Sequence, residues 1–266
     1  MCAGKRRSRI CFESLASPGG MMANTLELSV VVPVKDEVEN AVPLLNEICA
    51  ALRGKVSFEV LFVDDGSRDG TVAALVAAKA QSPELRVLRH KVNSGQSRAV
   101  RTGVVAARGA LIATLDGDGQ NDPADIPNLL AMWSRVSPGS PELGLVAGQR
   151  RKREDNWVKR LSSRFGNGVR QWMLQDGTRD TGCGLKLFSR DAFLALPYFD
   201  HIHRFMPALM LREGYRITHV DVHHRPRAHG ISKYGTLDRA LVSISDLMGV
   251  RWLKRRSRKP EGVEEL

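Results

Sequence analysis

Short apolar runs and amphipathic stretches alternate along the first half of the chain. Glu27–Pro33 (ELSVVVP) is apolar enough for a strand buried on both faces. Val38, Val42, Leu45, Ile48, Cys49 and Leu52 then recur at helical spacing, with Asn40 as the expected N-cap and Pro43 tolerated in the first turn. Phe58–Val63 predicts a second strand, Val72–Ala80 an Ala-rich helix and Leu85–Leu88 a short strand. Ser97–Ala107 predicts a helix closed by Gly109 at the C-cap position, followed by a strand at Ala110–Leu115, a helix at Ile126–Val136 and a strand at Leu143–Ala147. Alternation at this spacing predicts an α/β fold built from βαβ units, with a mostly parallel central sheet and helices on both faces.

Beyond about residue 150 the alternation weakens. Trp157, Leu161, Phe165, Val169 and Trp172 form a helical stripe beside Lys159, Arg160, Arg164 and Arg170. Gly184–Phe188 predicts a strand, Arg204–Arg212 a helix and Arg216–Val222 another strand. Leu237–Leu253 predicts an amphipathic helix that runs into the basic segment RWLKRRSRK. The expected organisation is a disordered basic extension over residues 1–25, one domain over 26–235, and an amphipathic helix with a basic tail over 236–266. Because the folded pattern begins near Leu26, Met21 and Met22 are candidate starts.

Composition adds limits. A chain of 266 residues with 42% hydrophobic and 26% charged residues can build a packed core, which excludes disorder of the whole. The net charge of +11 points to an anionic partner. Its distribution is informative: residues 1–25 carry +3, 150–160 carry +4 and 251–266 carry +3, so the remainder is nearly neutral. Cations placed at tails and on one helix suit an anionic membrane surface. No run approaches the roughly 18 apolar residues of a spanning helix, and the basic N-terminal run lacks the apolar core of a secretory signal. Cys2, Cys11, Cys49 and Cys183 show no paired spacing and read as free thiols in a reducing compartment.

Five motifs carry candidate chemistry. Leu115-Asp-Gly-Asp-Gly-Gln120 places two carboxylates at the end of a buried strand, where ligands bind in parallel sheets. Asp116, Asp118 and Gln120 suit Mg²⁺ or Mn²⁺, with diphosphate oxygens completing the shell. The alternative is an Asp-Gly turn that caps the next helix through Asp122-Pro123. Val63-Asp-Asp-Gly-Ser-Arg-Asp-Gly-Thr71 also ends a strand. A turn and cap account for Ser67, Asp69 and Thr71, but not for the adjacent acids Asp64 and Asp65. Val32-Pro-Val-Lys-Asp-Glu37 ends the first strand, and Asp180-Thr-Gly-Cys-Gly-Leu-Lys186 has glycines that admit a close ligand. Arg227-Ala-His-Gly-Ile-Ser-Lys-Tyr234 has a cation near each end, an arrangement able to hold a phosphate.

Taken in order with HKVNSGQSRAVRTG and AGQR, these motifs give the chain a resemblance to the family 2 glycosyltransferases of the GT-A fold, over about residues 27–235. Within that family it is similar to the dolichyl- and undecaprenyl-phosphate sugar synthases, such as dolichol-phosphate mannosyltransferase. Two departures stand out: Lys35-Asp36 replace the usual aromatic and Asn, and DGDGQ replaces DADLQ while keeping both acids and the amide. The resemblance implies a GT-A Rossmann-like sheet with C-terminal amphipathic helices. It also implies inverting transfer from a nucleotide-diphosphate sugar to a polyprenyl phosphate. Read beside it, the two apolar–basic helices and the N-terminal pattern predict an enzyme that is peripheral at the cytoplasmic face of a membrane and not secreted. Pro33, Glu37, Asp64, Asp65 and Asp116 would bind the nucleotide, and Arg150 would sit by sugar or phosphate. Asp116, Asp118 and Gln120 would hold Mg²⁺ or Mn²⁺. Arg227, Ser232 and Lys233 would take the acceptor phosphate, with Asp118, Arg227 and Lys233 catalytic.

An anionic phosphate acceptor needs no strong base. A soluble or glycan hydroxyl would need one, with Asp180 the candidate. A nucleic-acid-binding module is the remaining alternative, but the cations are not interleaved with aromatics and no nucleic-acid-binding signature is present. His201, His203, His223, His224 and His229 cluster in sequence without a common zinc spacing.

Overall fold

A computed structural model of the chain describes residues 26–139, 142–150, 168, 170–226 and 236–258. The expected extension over 1–25, the stripe residues Trp157, Leu161, Phe165 and Val169, and Arg227, His229, Ser232 and Lys233 lie outside the described residues.

The elements run β1 (Leu28–Val34), α1 (Val38–Leu52), β2 (Phe58–Asp64), α2 (Thr71–Ala78), β3 (Leu85–Arg89), α3 (Gln96–Ala106) and β4 (Leu111–Thr114). A 3₁₀ turn at Pro123–Asp125 leads into α4 (Ile126–Val136), then β5 (Leu143–Arg150), β6 (Lys186–Ser189), α5 (Arg190–Leu194), α6 (Ile202–Glu213), β7 (Arg216–Val222) and α7 (Thr236–Arg255). The seven strands form one sheet in the order β3-β2-β1-β4-β6-β5-β7. The β3-β2-β1-β4 half is parallel, β6 runs antiparallel to both β4 and β5, and β7 pairs parallel with β5.

The central strands β1 and β2 are buried on both faces and read as continuous apolar runs, whereas the edge strands β3 and β7 are only partly buried. Along β1, Leu28, Val30, Val32 and Val34 join α1 and α4 in one core, whereas Val31 points to a second core with α3 and α6. The chain leaves β1 toward β2 on one side and returns to β4 on the other, so a crevice opens between the loops that follow β1 and β4. Gly117 lets those loops touch: a Cβ there would lie 2.8 Å from the Pro33 carbonyl oxygen and 2.5 Å from Val34 Cγ1.

Several local expectations are revised. Glu37, not Asn40, occupies the N-cap of α1; Asn40 sits inside the first turn and its Nδ2 donates to Glu37 Oε2 at 2.6 Å. Gly109 does not cap α3, which ends at Ala106. Instead it lies against β1, where a Cβ would come within 2.7 Å of the Leu28 carbonyl carbon. β6 starts at Lys186 rather than Gly184, because the Gly184 carbonyl accepts from Thr114 Oγ1 at 2.9 Å.

The last helix is amphipathic as expected, and its described portion is more than a surface appendage. Val250 is buried, and Leu247 and Leu253 pack on the second core. Ile244, Met248 and Trp252, spaced four residues apart, remain exposed.

Candidate active site

The loops after β1 and β2 are interlocked. Ser67 Oγ, Thr71 Oγ1 and Asp69 Oδ2 accept the backbone N–H groups of Asp36, Glu37 and Val38 at 2.8, 3.0 and 3.2 Å. Ser67, Asp69 and Thr71 therefore serve the start of α1 from the neighbouring loop, while Asp69 Oδ1 also accepts Thr71 N at 3.0 Å within its own. In return Asp36 Oδ1 accepts from Arg68 N at 2.7 Å.

Asp64 and Asp65 are buried, and both are engaged by the protein itself. Asp64 accepts from Ser67 N at 3.3 Å and pairs with Arg89 Nε at 3.5 Å. Asp65 accepts Ser94 N on Oδ1 and Gly95 N on Oδ2, each at 2.8 Å, and meets His90 Nδ1 at 2.8 Å. His90 Nε2 in turn meets Thr102 Oγ1 at 2.9 Å. These acids hold the turn that starts α3. Beside them Lys35, Arg68, Arg89 and Lys91 line an open groove of about 590 Å³.

The loop after β4 differs. Asp116 is half-buried, and its Oδ1 accepts Gln96 Nε2 at 2.8 Å. Burial, then the neighbouring charge of Asp118, push the Asp116 carboxyl up to about 6 despite the opposing influence of Lys186, Gln96 and Arg150. Asp118 Oδ1 accepts Gln120 N at 3.2 Å, and Gln120 Nε2 reaches the Arg225 carbonyl at 3.5 Å. Gly184 makes room for Asp116: a Cβ would stand 2.3 Å from Oδ2. Asp122 is the helix cap, accepting Ala124 N at 3.0 Å with Pro123 behind it. Turn-and-cap and paired acids thus coexist in one loop.

Two mutually repelling hard-oxygen donors at a crevice fit a divalent cation of the Mg²⁺ or Mn²⁺ type. Among the described residues no group of three or more His, Cys, Asp or Glu side chains gathers as a metal cluster. A cation here needs oxygens from a bound ligand, as the diphosphate of a nucleotide supplies.

Asp180 and Arg150, expected separately, form one bidentate pair, with Nε–Oδ2 at 2.5 Å and Nη2–Oδ1 at 2.7 Å. Asp180 also accepts from Gly182 N at 3.2 Å. Next to this pair a cavity of about 130 Å³ is lined by Pro33, Gln96, Asp116, Gly184, Lys186 and His203, with Arg204 also on its wall. Lys186 is buried, donates to the Cys183 carbonyl, and has its pKa pushed down by burial. His203 is held neutral: burial, and then the charges of Lys186, Arg204 and His201, bring it to about 3. Its Nδ1 meets Ser97 Oγ at 2.8 Å. The other described histidines of the sequence cluster are engaged apart, His201 with Asp246, His223 with Asp125 and His224 in a bridge to Asn121.

Sequence reasoning assigned no role to Gln96, Lys186, His203 or Arg204. Gln96 and Lys186 stand inside quoted motifs, and Lys186 interrupts an apolar strand, which was a readable signal. His203 stood out only within the histidine cluster and Arg204 not at all, because only the packing of α6 brings them to the cavity.

The fold and the site define a glycosyltransferase. Residues 29–196 match the family model described as Glycosyl transferase family 2, and the chain belongs to that family. Among curated proteins it is 35% identical over 244 residues to "Dodecaprenyl-phosphate galacturonate synthase" of Rhizobium johnstonii, covering 89% of this chain and 70% of that protein. It is 33% identical over 213 residues to "Undecaprenyl-phosphate 4-deoxy-4-formamido-L-arabinose transferase" of Aeromonas hydrophila, covering 79% of this chain and 63% of that one. The chain thus spans less than two thirds of the second relative. The fold is shared with glucosyl-3-phosphoglycerate synthase from Mycobacterium tuberculosis. Its complex with Mg²⁺ and uridine-diphosphate aligns with a TM-score of 0.63 at 18% identity, covering 90% and 82% of the two chains. A complex with Mn²⁺, uridine-diphosphate-glucose and glycerol 3-phosphate aligns at 0.62 and 19%, covering 94% and 89%.

Proposed function

We propose that the chain transfers a sugar, with inversion, from a nucleotide-diphosphate sugar to a polyprenyl phosphate. The observation that carries this reading is the state of the carboxylates. Asp64, Asp65 and Asp180 are each engaged by cations or backbone N–H groups, and at the crevice the charge of Asp118 acts on Asp116. Such a site has cation-binding acids but no independent general base beside them among the expected residues. A hydroxyl acceptor would require that base. A phosphate monoester is already anionic near neutral pH, its second pKa being about 6. The two curated relatives carry polyprenyl-phosphate products or acceptors in their names.

In this reading the groove lined by Lys35 and Arg68 takes the nucleoside, and Pro33, Glu37, Asp64 and Asp65 are assigned to nucleotide binding around it. Asp116 and Asp118, with Gln120 beside them, hold Mg²⁺ or Mn²⁺. A bound divalent cation supplies charge stabilisation at the leaving diphosphate. Arg150, locked by Asp180, presents a fixed positive charge to the sugar-phosphate. Arg227, Ser232 and Lys233 are assigned to the acceptor phosphate, where their charges would meet negative charge that grows in the transition state.

The membrane face is proposed on charge and exposure. Trp172 and Trp252 are 70% and 58% exposed, with Ile244 and Met248 beside Trp252 on one stripe of α7. Arg251 lies over the Trp172 ring at 5.3 Å, and Lys254 and Arg255 follow in the last turn. Aromatics with a basic rim suit the headgroup layer of an anionic bilayer. No helix among the described residues is long and apolar enough to cross a membrane. The reading places this face at the inner, cytoplasmic leaflet.

The test is transfer itself. Purified chain, Mn²⁺ and a panel of UDP- and GDP-sugars are incubated with undecaprenyl phosphate or with soluble sugar acceptors, and products are read by mass spectrometry. A glycosyl-phosphoryl-polyprenol is expected. Transfer to hydroxyl acceptors alone would replace this reading with the soluble-acceptor one.

A further inference from the structure

Two strands, β6 and β5, stand between β4 and β7 in the sheet, yet the segments that leave β4 and β7 are fastened to each other. The three residues that follow β7 meet the β4 loop in reverse order. His223 N donates to Asp125 Oδ2 at 2.6 Å, His224 forms an antiparallel bridge with Asn121, and Arg225 N donates to the Gln120 carbonyl at 2.9 Å. Gln120 Nε2 returns to the Arg225 carbonyl at 3.5 Å. Asn121 is buried, and its Oδ1 accepts Asp116 N at 3.2 Å. The seam therefore reaches the loop at Asp116, through Asn121, and at Gln120 directly.

The Arg225 guanidinium closes this seam. Its Nη1 donates to Glu47 Oε2 on α1 and its Nη2 meets Asp122 Oδ1, each at 2.6 Å. One planar fork thus joins three segments far apart in sequence: α1, the β4 loop and the exit of β7. The reaction as described gives Arg225 no role. Stability does not account for the arrangement, because the Arg225 and Glu47 side chains are 39% and 45% exposed and ion pairs this open to water add little to the folded state. Geometry is the better account. Gly119, at φ +73° with nothing within 4 Å of its Cβ position, gives the stretch between Asp118 and Gln120 no side-chain packing of its own. A metal site needs its oxygens held in place, and groups behind the ligands do that. Behind Gln120 and Asp122 that group is Arg225.

We propose that Arg225 is a positioning residue of the cation site, holding the β4 loop so that a divalent cation meets its protein oxygens already in place. The inference rests on the reading of Asp116, Asp118 and Gln120 as that site. It adds a residue that acts on the site through Gln120 and Asp122, anchored from outside by Glu47.

The experiment is a calorimetric titration of Mn²⁺ into the full chain, saturated with UDP or GDP, whichever the wild type binds. Wild type, Arg225→Met, Arg225→Lys and Glu47→Gln are compared, and melting temperatures are read on the same proteins without metal. Arg225→Met should bind Mn²⁺ about tenfold more weakly, the lower end of the effect of removing a group behind a metal ligand, because the backbone bonds to Gln120 remain. Arg225→Lys can reach one carboxylate but not bridge two, and Glu47→Gln turns an ion pair into a weaker hydrogen bond, so each should lose roughly threefold. Melting temperatures should stay within about 3 °C of wild type. In transfer assays the Mn²⁺ requirement of Arg225→Met should rise by the same tenfold, with kcat recovered at saturating Mn²⁺. Wild-type Mn²⁺ affinity in Arg225→Met overturns the proposal. So does a large fall in melting temperature with equal loss of nucleotide and Mn²⁺, which would make Arg225 a part of the fold alone. A loss of kcat that Mn²⁺ does not restore overturns it too, by placing Arg225 in the reaction itself. If the wild type binds no Mn²⁺ in the presence of nucleotide, the cation reading fails as well; if it does and Arg225→Met matches it, only this inference fails.

Discussion

Two loops of similar composition end β2 and β4, the strands on either side of β1, and they behave in opposite ways. After β2, Asp64-Asp-Gly-Ser67 has its carboxylates surrounded by donors: the N–H groups of Ser67, Ser94 and Gly95, with His90 and Arg89. After β4, burial and the like charge of Asp118 raise Asp116, even though Gln96 donates to it. Acid-glycine turns at strand ends are therefore not one kind of site. The acids after β2 hold the turn that starts α3, whereas those after β4 are the ones proposed to take a cation. The difference lies in what other segments bring to the loop.

Substitution of the same chemistry in each loop separates the two. Asp118→Asn should cut transfer by about a thousandfold or more, the scale of losing a major electrostatic contribution to the transition state. Its melting temperature should stay near wild type, while the stabilisation by Mn²⁺ with UDP disappears. Near-normal turnover in this variant would remove Asp118 from the cation site.

Asp65→Asn should do the reverse. Both oxygens accept N–H groups, so either orientation of the amide sets an NH₂ against a donor. Leaving such buried groups unmatched costs about 1–3 kcal/mol, or roughly 2–4 °C per kcal/mol for a chain of this size. The thermal response to Mn²⁺ with UDP should survive. If instead the variant melts normally and loses nucleotide, Asp65 is a direct ligand.

pH sharpens the same contrast. Asp116 binds its proton more tightly in the folded protein than in the unfolded chain, since its pKa rises from 3.8 to about 6. The metal-free protein should therefore lose stability as pH rises through that window. Mn²⁺ affinity should fall by up to about tenfold per unit as pH drops below 6, because the cation must displace the proton. Calorimetric titrations between pH 5 and pH 7 on wild type and Asp116→Asn test both; a flat wild-type profile would contradict the raised carboxyl.

The smallest effect expected is at the α7 face. Replacing Trp172 and Trp252 with Ala should weaken pelleting with anionic liposomes by roughly tenfold, while the fold holds because both rings are exposed. The wild-type interaction should weaken with salt. Unchanged pelleting would take these rings out of the membrane contact.

Much of the architecture was readable from apolar runs and their spacing, because each central strand, buried on both faces, is a run in itself. The direction of β6 was not, since Leu185–Phe188 is equally apolar in either orientation. α5 has five residues, too few to show a helical period. At the site, the acids of the β4 loop were legible as a pair with a glycine between them. The pairing of Asp180 with Arg150, 30 residues apart, was not, nor was the saturation of Asp65 by donors 25 to 30 residues away. Such partners meet only through the sheet order.

The mutual capping of the loops after β1 and β2 has a consequence for anyone recombining this enzyme with its relatives. Residues 36–38 lean on Ser67, Asp69 and Thr71, and Asp36 in turn receives Arg68. The two segments are a single mechanical part cut from two places in the chain. A chimera that imports one of these loops without the other leaves the start of α1 uncapped, so the two must be transplanted as a matched pair.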